Sequence, residues 1–351
     1  MPRIIDQNRL ALLMHGAVAS PFGKMGFGLL RYGAAPTVAV IDREAVGQEL
    51  QALTGIPSKA PIVGTVREAL QHGPDVLVLA VATPGGVMPE EWWPEVRQAV
   101  AAGLSLVNGL HRPLASHPDL TPLLRPGQWI WDIRQEPPGL DCGMGRAREL
   151  PALRVLLVGT DMACGKMTAA LELHREARRR GVRSQFLATG QIGVAIAGEG
   201  IALDAVRLDF ATGAVEQLVL RHGLGHELLW IEGQGSLLHP ASTGTYTLMR
   251  GALPTHLILA HRAGQESIAR APWVRIPPLS DVIALHEAVA RAAGALPPAR
   301  VAGIALNTGR LSDADARAAV DQTAAETGLP VSDVLRFGAA PLVDSVLGNA
   351  R

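Results

Sequence analysis

The run Gly159-Thr-Asp-Met-Ala-Cys-Gly-Lys-Met-Thr168 carries the clearest chemistry in the chain. It follows the apolar segment Leu153-Arg-Val-Leu-Leu-Val158 and leads straight into Met167-Thr-Ala-Ala-Leu-Glu-Leu-His174. A buried strand, a loop with a glycine at each end and a helix start together make an anion site. The glycines let main-chain amides turn inward, the helix terminus adds partial positive charge, and Lys166 adds a full one. Phosphate groups are the expected guests, held by Gly159, Thr160, Asp161, Gly165, Lys166, Met167 and Thr168. The common phosphate loop reads G-x-x-x-x-G-K-[ST], with a hydroxyl after the lysine to hold magnesium. Here the loop has one extra residue between its glycines, and Met167 stands where that hydroxyl belongs. Thr168 comes one place later, about 100° further round a helix. The segment therefore predicts phosphate binding and puts magnesium coordination in question.

In open parallel sheets, ligands gather beyond the carboxyl ends of the strands. Three further segments end strands of the same half of the chain. Ala188-Thr-Gly-Gln-Ile-Gly193 follows Arg183–Leu187, Glu232-Gly-Gln-Gly-Ser236 follows Glu227–Ile231, and Asn307-Thr308 follows Val301–Leu306. Gln191, Gln234 and Ser236 are accordingly expected at the substrate. Glu232 ends an apolar strand and is followed by Gly-x-Gly, so it suits either of two roles: orienting a metal-bound water, or acting as a general base with a pKa raised by burial. A carboxylate that only caps the amides of its own turn is the structural alternative. His239 is the other candidate base. Cys164 sits near a helix start and a lysine, which favour a thiolate, but its place inside the loop suits a spacer better. Arg262 and Arg250 are candidates for gripping substrate carboxylates.

These residues need a scaffold, and the hydrophobic pattern supplies one. Short apolar runs at Leu10–Met14, Thr37–Ile41, Val76–Ala82 and Leu104–Val107 alternate with helical stretches at Lys24–Arg31, Thr65–Gln71 and Pro94–Ala102. A turn at residues 83–86 stops the third run. Near-continuous apolar strands in such a rhythm imply a parallel sheet covered on both faces. A Pro- and Gly-rich stretch then marks a boundary, giving a first domain at 1–136, a linker at 137–150 and a second α/β domain at 151–351. Strands are expected there at Leu153–Val158, Arg183–Leu187, Glu227–Ile231, His256–Ala260 and Val301–Leu306. Helices are expected at Lys166–Arg179, Thr212–Arg221, Asp281–Ala293 and Ser312–Thr327, with long loops near 233–254 and 263–278. In the first domain Asp42 ends a second strand, as a ribose-binding acid does, but no G-x-G-x-x-G accompanies it, which argues against hydride chemistry.

Of 351 residues 48% are hydrophobic, enough for two cores, and Lys+Arg balances Asp+Glu at 32 each. No global field recruits nucleic acid or an anionic membrane, and 4% aromatics leave little for base stacking. The two cysteines lie far apart, without zinc spacing or a disulfide framework, so no metal site is expected. The first residues lack the apolar core of a signal peptide, and 76–82 is too short to span a bilayer. A soluble cytoplasmic protein acting on a small molecule is expected, with self-association into a homo-oligomer suggested by the apolar, charge-poor composition.

Two resemblances attach to these motifs. Gly-Thr-Asp-x-x-x-Gly-Lys, the Glu-Gly-x-Gly strand end and the late Asn307 are similar to dethiobiotin synthetase and its P-loop relatives. That resemblance implies ATP phosphates on Lys166, magnesium near Glu232 and adenine read by Asn307; Met167 departs from its pattern. A longer resemblance covers nearly the whole chain. Gly159–Thr168, Thr189–Gly193, Ile196–Gly200, Asp209-Phe210, Glu232–Pro240 and Gly303–Thr308 resemble the DgcN family, which includes a D-glutamate N-acetyltransferase. In that family the methionine after Gly-Lys is usual, while Ile192 stands in place of a threonine. The resemblance implies a Rossmann-like first domain, a P-loop NTPase-like second domain, acetyl-CoA as donor and a D-amino acid, D-glutamate first, as acceptor. With such a donor, its phosphates are expected on the 159–166 amides and Lys166. Two other readings stand beside this one: an ATP-dependent kinase or ligase, and a nucleotide-binding module without chemistry.

Overall fold

The computed structural model describes residues 3–82 and 86–348. Residues 83–85, where the turn after the third apolar run was expected, lie outside the described residues. The chain divides into two compact units, Met1–Glu136 with Gln191–Ala205, and Pro137–Gly190 with Val206–Arg351.

In the first unit, apolar runs too short for helices become strands, and the stretches between them become helices. Its elements are β1 (Leu10–Leu13), α1 (Lys24–Tyr32), β2 (Thr37–Ile41), α2 (Leu50–Thr54), β3 (Ile62–Val63), α3 (Val66–Ala69), β4 (Val76–Leu79), α4 (Trp93–Ala102), β5 (Ser105–Asn108) and β6 (Ile130–Asp132). The strands form one sheet in the order β3-β2-β1-β4-β5-β6, with every pair parallel. That is the Rossmann order. β1, β4 and β5 are buried along their whole length, as a sheet covered on both faces requires. Asp42 turns inward. Its Oδ1 accepts from the amides of Gly16 (2.9 Å) and Glu44 (3.1 Å), and its Oδ2 from that of Val18 (3.1 Å). The acid that ends β2 thus fastens the loop after β1.

The second unit begins with β7 (Leu153–Gly159), α5 (Lys166–Arg179) and β8 (Ser184–Leu187). The chain then contributes α6 (Gln191–Ala197) to the first unit before returning with α7 (Leu208–Gly223), β9 (Leu228–Ile231), α8 (Gly244–Ala252) and β10 (His256–Arg262). A hairpin of β11 (Ser267–Ile268) and β12 (Ala271–Arg275) comes next, then α9 (Leu279–Arg291), β13 (Arg300–Asn307), α10 (Asp313–Thr327), β14 (Val331–Ser332) and α11 (Ala340–Gly348). The sheet runs β14-β13-β10-β7-β9-β8, all parallel. β7 is central, with β9 on one side and β10 on the other, so the connection direction reverses there. The loop after β7 therefore occupies the switch point where such sheets bind ligands.

Three expectations are corrected. Residues 233–254 contain α8, residues 263–278 contain the β11–β12 hairpin, and the expected loop 188–193 passes into a helix at Gln191. α8 is rich in Gly and Thr, which are poor helix formers. It forms because Leu248, Met249 and Ala252 are fully buried in the unit, which is packing overriding local preference. Among the described residues no helix is long and apolar enough to cross a membrane.

Candidate active site

The anion loop is built as its sequence demands. β7 ends at Gly159, Gly165 takes φ +117°, and α5 starts at Lys166. The first intrahelical bond runs from the Ala169 amide to the Gly165 carbonyl (2.9 Å). That leaves Lys166, Met167 and Thr168 with the orphan amides of a helix start. No hydrogen bond among the described residues takes up the amides of Ala163, Cys164 or Gly165. Lys166 is 4% exposed, and its Nζ donates across the loop to the carbonyls of Asp161 (2.7 Å) and Met162 (3.1 Å). A buried ammonium held by neutral carbonyls retains its whole charge for an anion. Unpaired donors and that charge therefore share one loop.

The remaining loop residues hold its shape. Thr160 is fully buried and its Oγ1 lies 3.0 Å from His261 Nδ1. Asp161 Oδ1 accepts from the Met162 amide (2.6 Å), and Oδ2 accepts from Gln265 Nε2 (2.7 Å) and the Ala269 amide (2.9 Å). Burial pushes the Asp161 carboxyl up, but these donors and the nearby His239 outweigh it and hold the group below its ordinary value. Cys164 is 1% exposed with its thiol donating to the Asp161 carbonyl (3.1 Å), the position of a spacer. Arg262 Nη2 donates to the Ala163 carbonyl (2.8 Å) and Asn307 Nδ2 to that of Cys164 (3.3 Å). Both side chains thus brace the loop from the ends of β10 and β13. Asn307 and Thr168 also line a cleft of about 170 Å³ beside the start of α5.

Glu232 stands at the end of β9, beside the loop. It is 4% exposed, and its Oε2 accepts from the amides of Thr189 (2.9 Å) and Gly190 (3.0 Å). Burial raises its pKa to about 7, although those amides, Lys166 and Gln234 pull the other way. Gly233 makes the close approach possible. A Cβ there would fall 1.7 Å from the Leu157 carbonyl oxygen and 2.8 Å from Lys166 Cδ. Only glycine fits, and it lets the acid's strand lie against β7 and the lysine stem. A half-protonated carboxyl near neutrality is poised for general-base work.

His239 is 8% exposed and its Nδ1 accepts from the Ala241 amide (3.1 Å). With Nδ1 engaged as an acceptor, the ring's other nitrogen, Nε2, is the one that can donate. Ser236 is fully buried; its hydroxyl donates to the Thr160 carbonyl (3.0 Å) and accepts from the Leu238 amide (3.1 Å). That hydroxyl ties the Glu232 loop to the anion loop. Gln234 is half-buried beside Gly190, while Gln191 opens α6 in the first unit, beside Gly109. The anion loop, Glu232, Gln234, His239, Arg262 and Asn307 are thus brought together in the second unit. Sequence reasoning missed His261 and Gln265. Both follow the fourth strand and were open to the same strand-end rule. Among the described residues no group of three or more His, Cys, Asp or Glu side chains is placed to hold a metal ion.

The comparisons with known proteins bear on this arrangement. Residues 141–343 match the family model "Domain of unknown function (DUF1611_C) P-loop domain", and residues 43–136 match "Domain of unknown function (DUF1611_N) Rossmann-like domain". The chain belongs to the DUF1611 family. The crystal structure of a DUF1611 family protein from Anabaena variabilis is 55% identical, with a TM-score of 0.96 over 98% of this chain and 100% of that one. A D-glutamate N-acetyltransferase from Tritonibacter scottomollicae is 36% identical over 284 residues, 80% of this chain and 84% of its own. Another of that name from a Pseudoalteromonas species is 33% identical over 289 residues, 81% and 84% of the two chains. These relatives agree with the longer resemblance read from the motifs, and the two domain descriptions agree with both sheets.

Proposed function

We propose that this protein is an N-acetyltransferase that moves an acetyl group from acetyl-CoA to the amine of a D-amino acid, D-glutamate first. One observation carries the reading. A loop of unpaired amides with a buried lysine lies against a carboxyl whose pKa is near neutrality, in a chain whose relatives carry that activity's name. The phosphates of the donor lie on the amides of 163–168 and on Lys166, and the cleft beside Asn307 takes its adenine end. The acceptor arrives as an ammonium and gives one proton to Glu232. Its lone pair then attacks the thioester carbonyl, a C–N bond forms, and the C–S bond breaks. The departing thiolate takes up the second amine proton and leaves as the thiol. His239, a donor at Nε2, is suited to stabilising the oxyanion formed on the way.

Thiol release from acetyl-CoA, screened against both enantiomers of acidic and neutral amino acids, tests this directly. Turnover with a D-amino acid is expected. Lys166→Ala removes charge-assisted bonds worth about 1.5–3 kcal/mol each, so the donor KM should rise roughly tenfold to a hundredfold. Unchanged donor kinetics in that variant would take the donor off this loop. An ATP-dependent reading draws on the same loop, but Met167 gives magnesium no hydroxyl. Thermal stabilisation by ATP-magnesium and none by CoA would favour it.

A further inference from the structure

A second cleft, of about 580 Å³, opens beside the anion loop within the same unit. Its walls are fixed to that loop. His261, at the end of β10, bonds Thr160 through Nδ1 (3.0 Å), and Gln265 bonds the Asp161 carboxylate (2.7 Å). Whatever occupies the cleft therefore lies next to whatever the loop holds. His261 is only 9% exposed and lines the cleft, yet Nε2 has no hydrogen-bond partner among the described residues. A ring nitrogen without a protein partner at the cleft wall is free to bond a guest in the cleft.

The lining says which chemistry fits. Arg275 and Glu266 are paired at 3.2 Å on the surface, with side chains 73% and 79% exposed, and Glu326 accepts from Gln322 (2.8 Å). One positive and two negative side chains leave the cleft with no surplus of positive charge, which disfavours an acidic guest. Burial holds the His261 pKa down to about 4, so its ring is neutral under physiological conditions. The apolar part of the wall is Ile276, Pro278 and Leu306. An uncharged chain with hydrogen-bonding groups and branched methyls meets all of these.

We propose that this cleft holds the amide-bearing pantetheine arm of the acyl donor, with His261 Nε2 and the Gln322 side chain as hydrogen-bond partners to it. The inference rests on the acetyl-CoA reading above and assigns a place to a part of the donor that the anion loop does not reach. The cleft then works as a ruler. It fixes the thioester by its uncharged arm and leaves the phosphates to Lys166.

The test compares CoA with 3′-phospho-ADP, which carries the same phosphates without the arm, by isothermal titration of the full chain. Ala319→Phe, on α10 in the cleft wall, should weaken CoA by about tenfold or more and leave 3′-phospho-ADP within about twofold. Gln322→Trp, at an exposed position on the same helix, should give the same pattern with less risk to folding. Unchanged binding of both probes in the two variants would overturn the cleft assignment while leaving the acetyl-CoA reading in place. So would equal weakening of both probes, or a rise in the amino-acid KM with the donor KM unmoved. Failure of the unsubstituted protein to bind either probe would instead remove the acetyl-CoA reading, and this proposal with it.

Discussion

Glu232 is where the chemistry of the site can be measured most directly. A carboxyl accepts a proton only when ionised, and burial has moved that ionisation to about pH 7. The expected rate therefore falls as pH drops below about 7, tracking the fraction of Glu232 in its carboxylate form. Glu232→Gln keeps an oxygen for the Thr189 and Gly190 amides but cannot take a proton. Its kcat should drop roughly a hundredfold to ten-thousandfold with the acidic limb abolished, and the donor KM should barely change. A pH profile in which the acidic limb survives in the variant would move the base elsewhere. The same shift has a signature in stability. The folded pKa lies above the ordinary 4.5, so the folded state binds the extra proton between the two values. Stability from this group is fully present below about pH 4.5 and is lost as pH rises to 7, by roughly 3 kcal/mol. Denaturant titrations at pH 5 and pH 8 should show the wild type losing more over that interval than Glu232→Gln.

At the scale of elements, the acid depends on the helix that comes after it. α8 starts at Gly244, soon after Glu232 closes β9, and Thr245 in its first turn donates to the Gln234 carbonyl (2.8 Å) while 3% exposed. Thr245→Val preserves shape and leaves that buried carbonyl without its donor, a cost of about 1–3 kcal/mol. Lower stability by urea titration and a lower kcat, with donor KM nearly constant, are the expected outcome. A variant as stable and active as the wild type would show that the loop is held without α8. α8 also shows where sequence reading runs short. α5 was readable residue for residue, because a glycine before Lys166, good helix formers and a regular apolar stripe all agree. Gly244, Thr245, Thr247 and Gly251 agree on nothing local, and only the buried faces of Leu248 and Met249 make that segment a helix. The site divides in the same way. Lys166 and Glu232 were legible because phosphate loops and strand ends have local rules. The commitment of the Ser236 hydroxyl to Thr160, 76 residues away, has no local signal.

At the scale of the whole molecule, one segment runs against the order of the chain. Residues 191–205 arrive from the second unit and pack within the first. Their composition differs little from their surroundings, so a boundary read from the Pro and Gly of 137–150 has nothing there to register. Their contribution to the first unit is apolar. Val194, Ile201 and Leu203 are between 4% and 7% exposed, and Ala195 and Ala202 no more than 2%. Burying three such large side chains contributes roughly 1.5–3 kcal/mol each, which approaches the roughly 5–15 kcal/mol that holds a typical domain together. Residues 1–136 produced alone should therefore be marginal, with broad unfolding and strong binding of a hydrophobic dye such as ANS. Adding the 191–205 peptide covalently, through a flexible linker, should sharpen the transition and reduce the dye signal. Residues 137–351 alone should likewise expose those side chains and aggregate, whereas the same fragment with Val194, Ile201 and Leu203 changed to Ser should stay in solution. A sharp, dye-silent transition from unmodified 1–136 would mean that the sheet β3-β2-β1-β4-β5-β6 closes its core without the inserted segment, and the excursion of 191–205 into the first unit would carry no energetic weight.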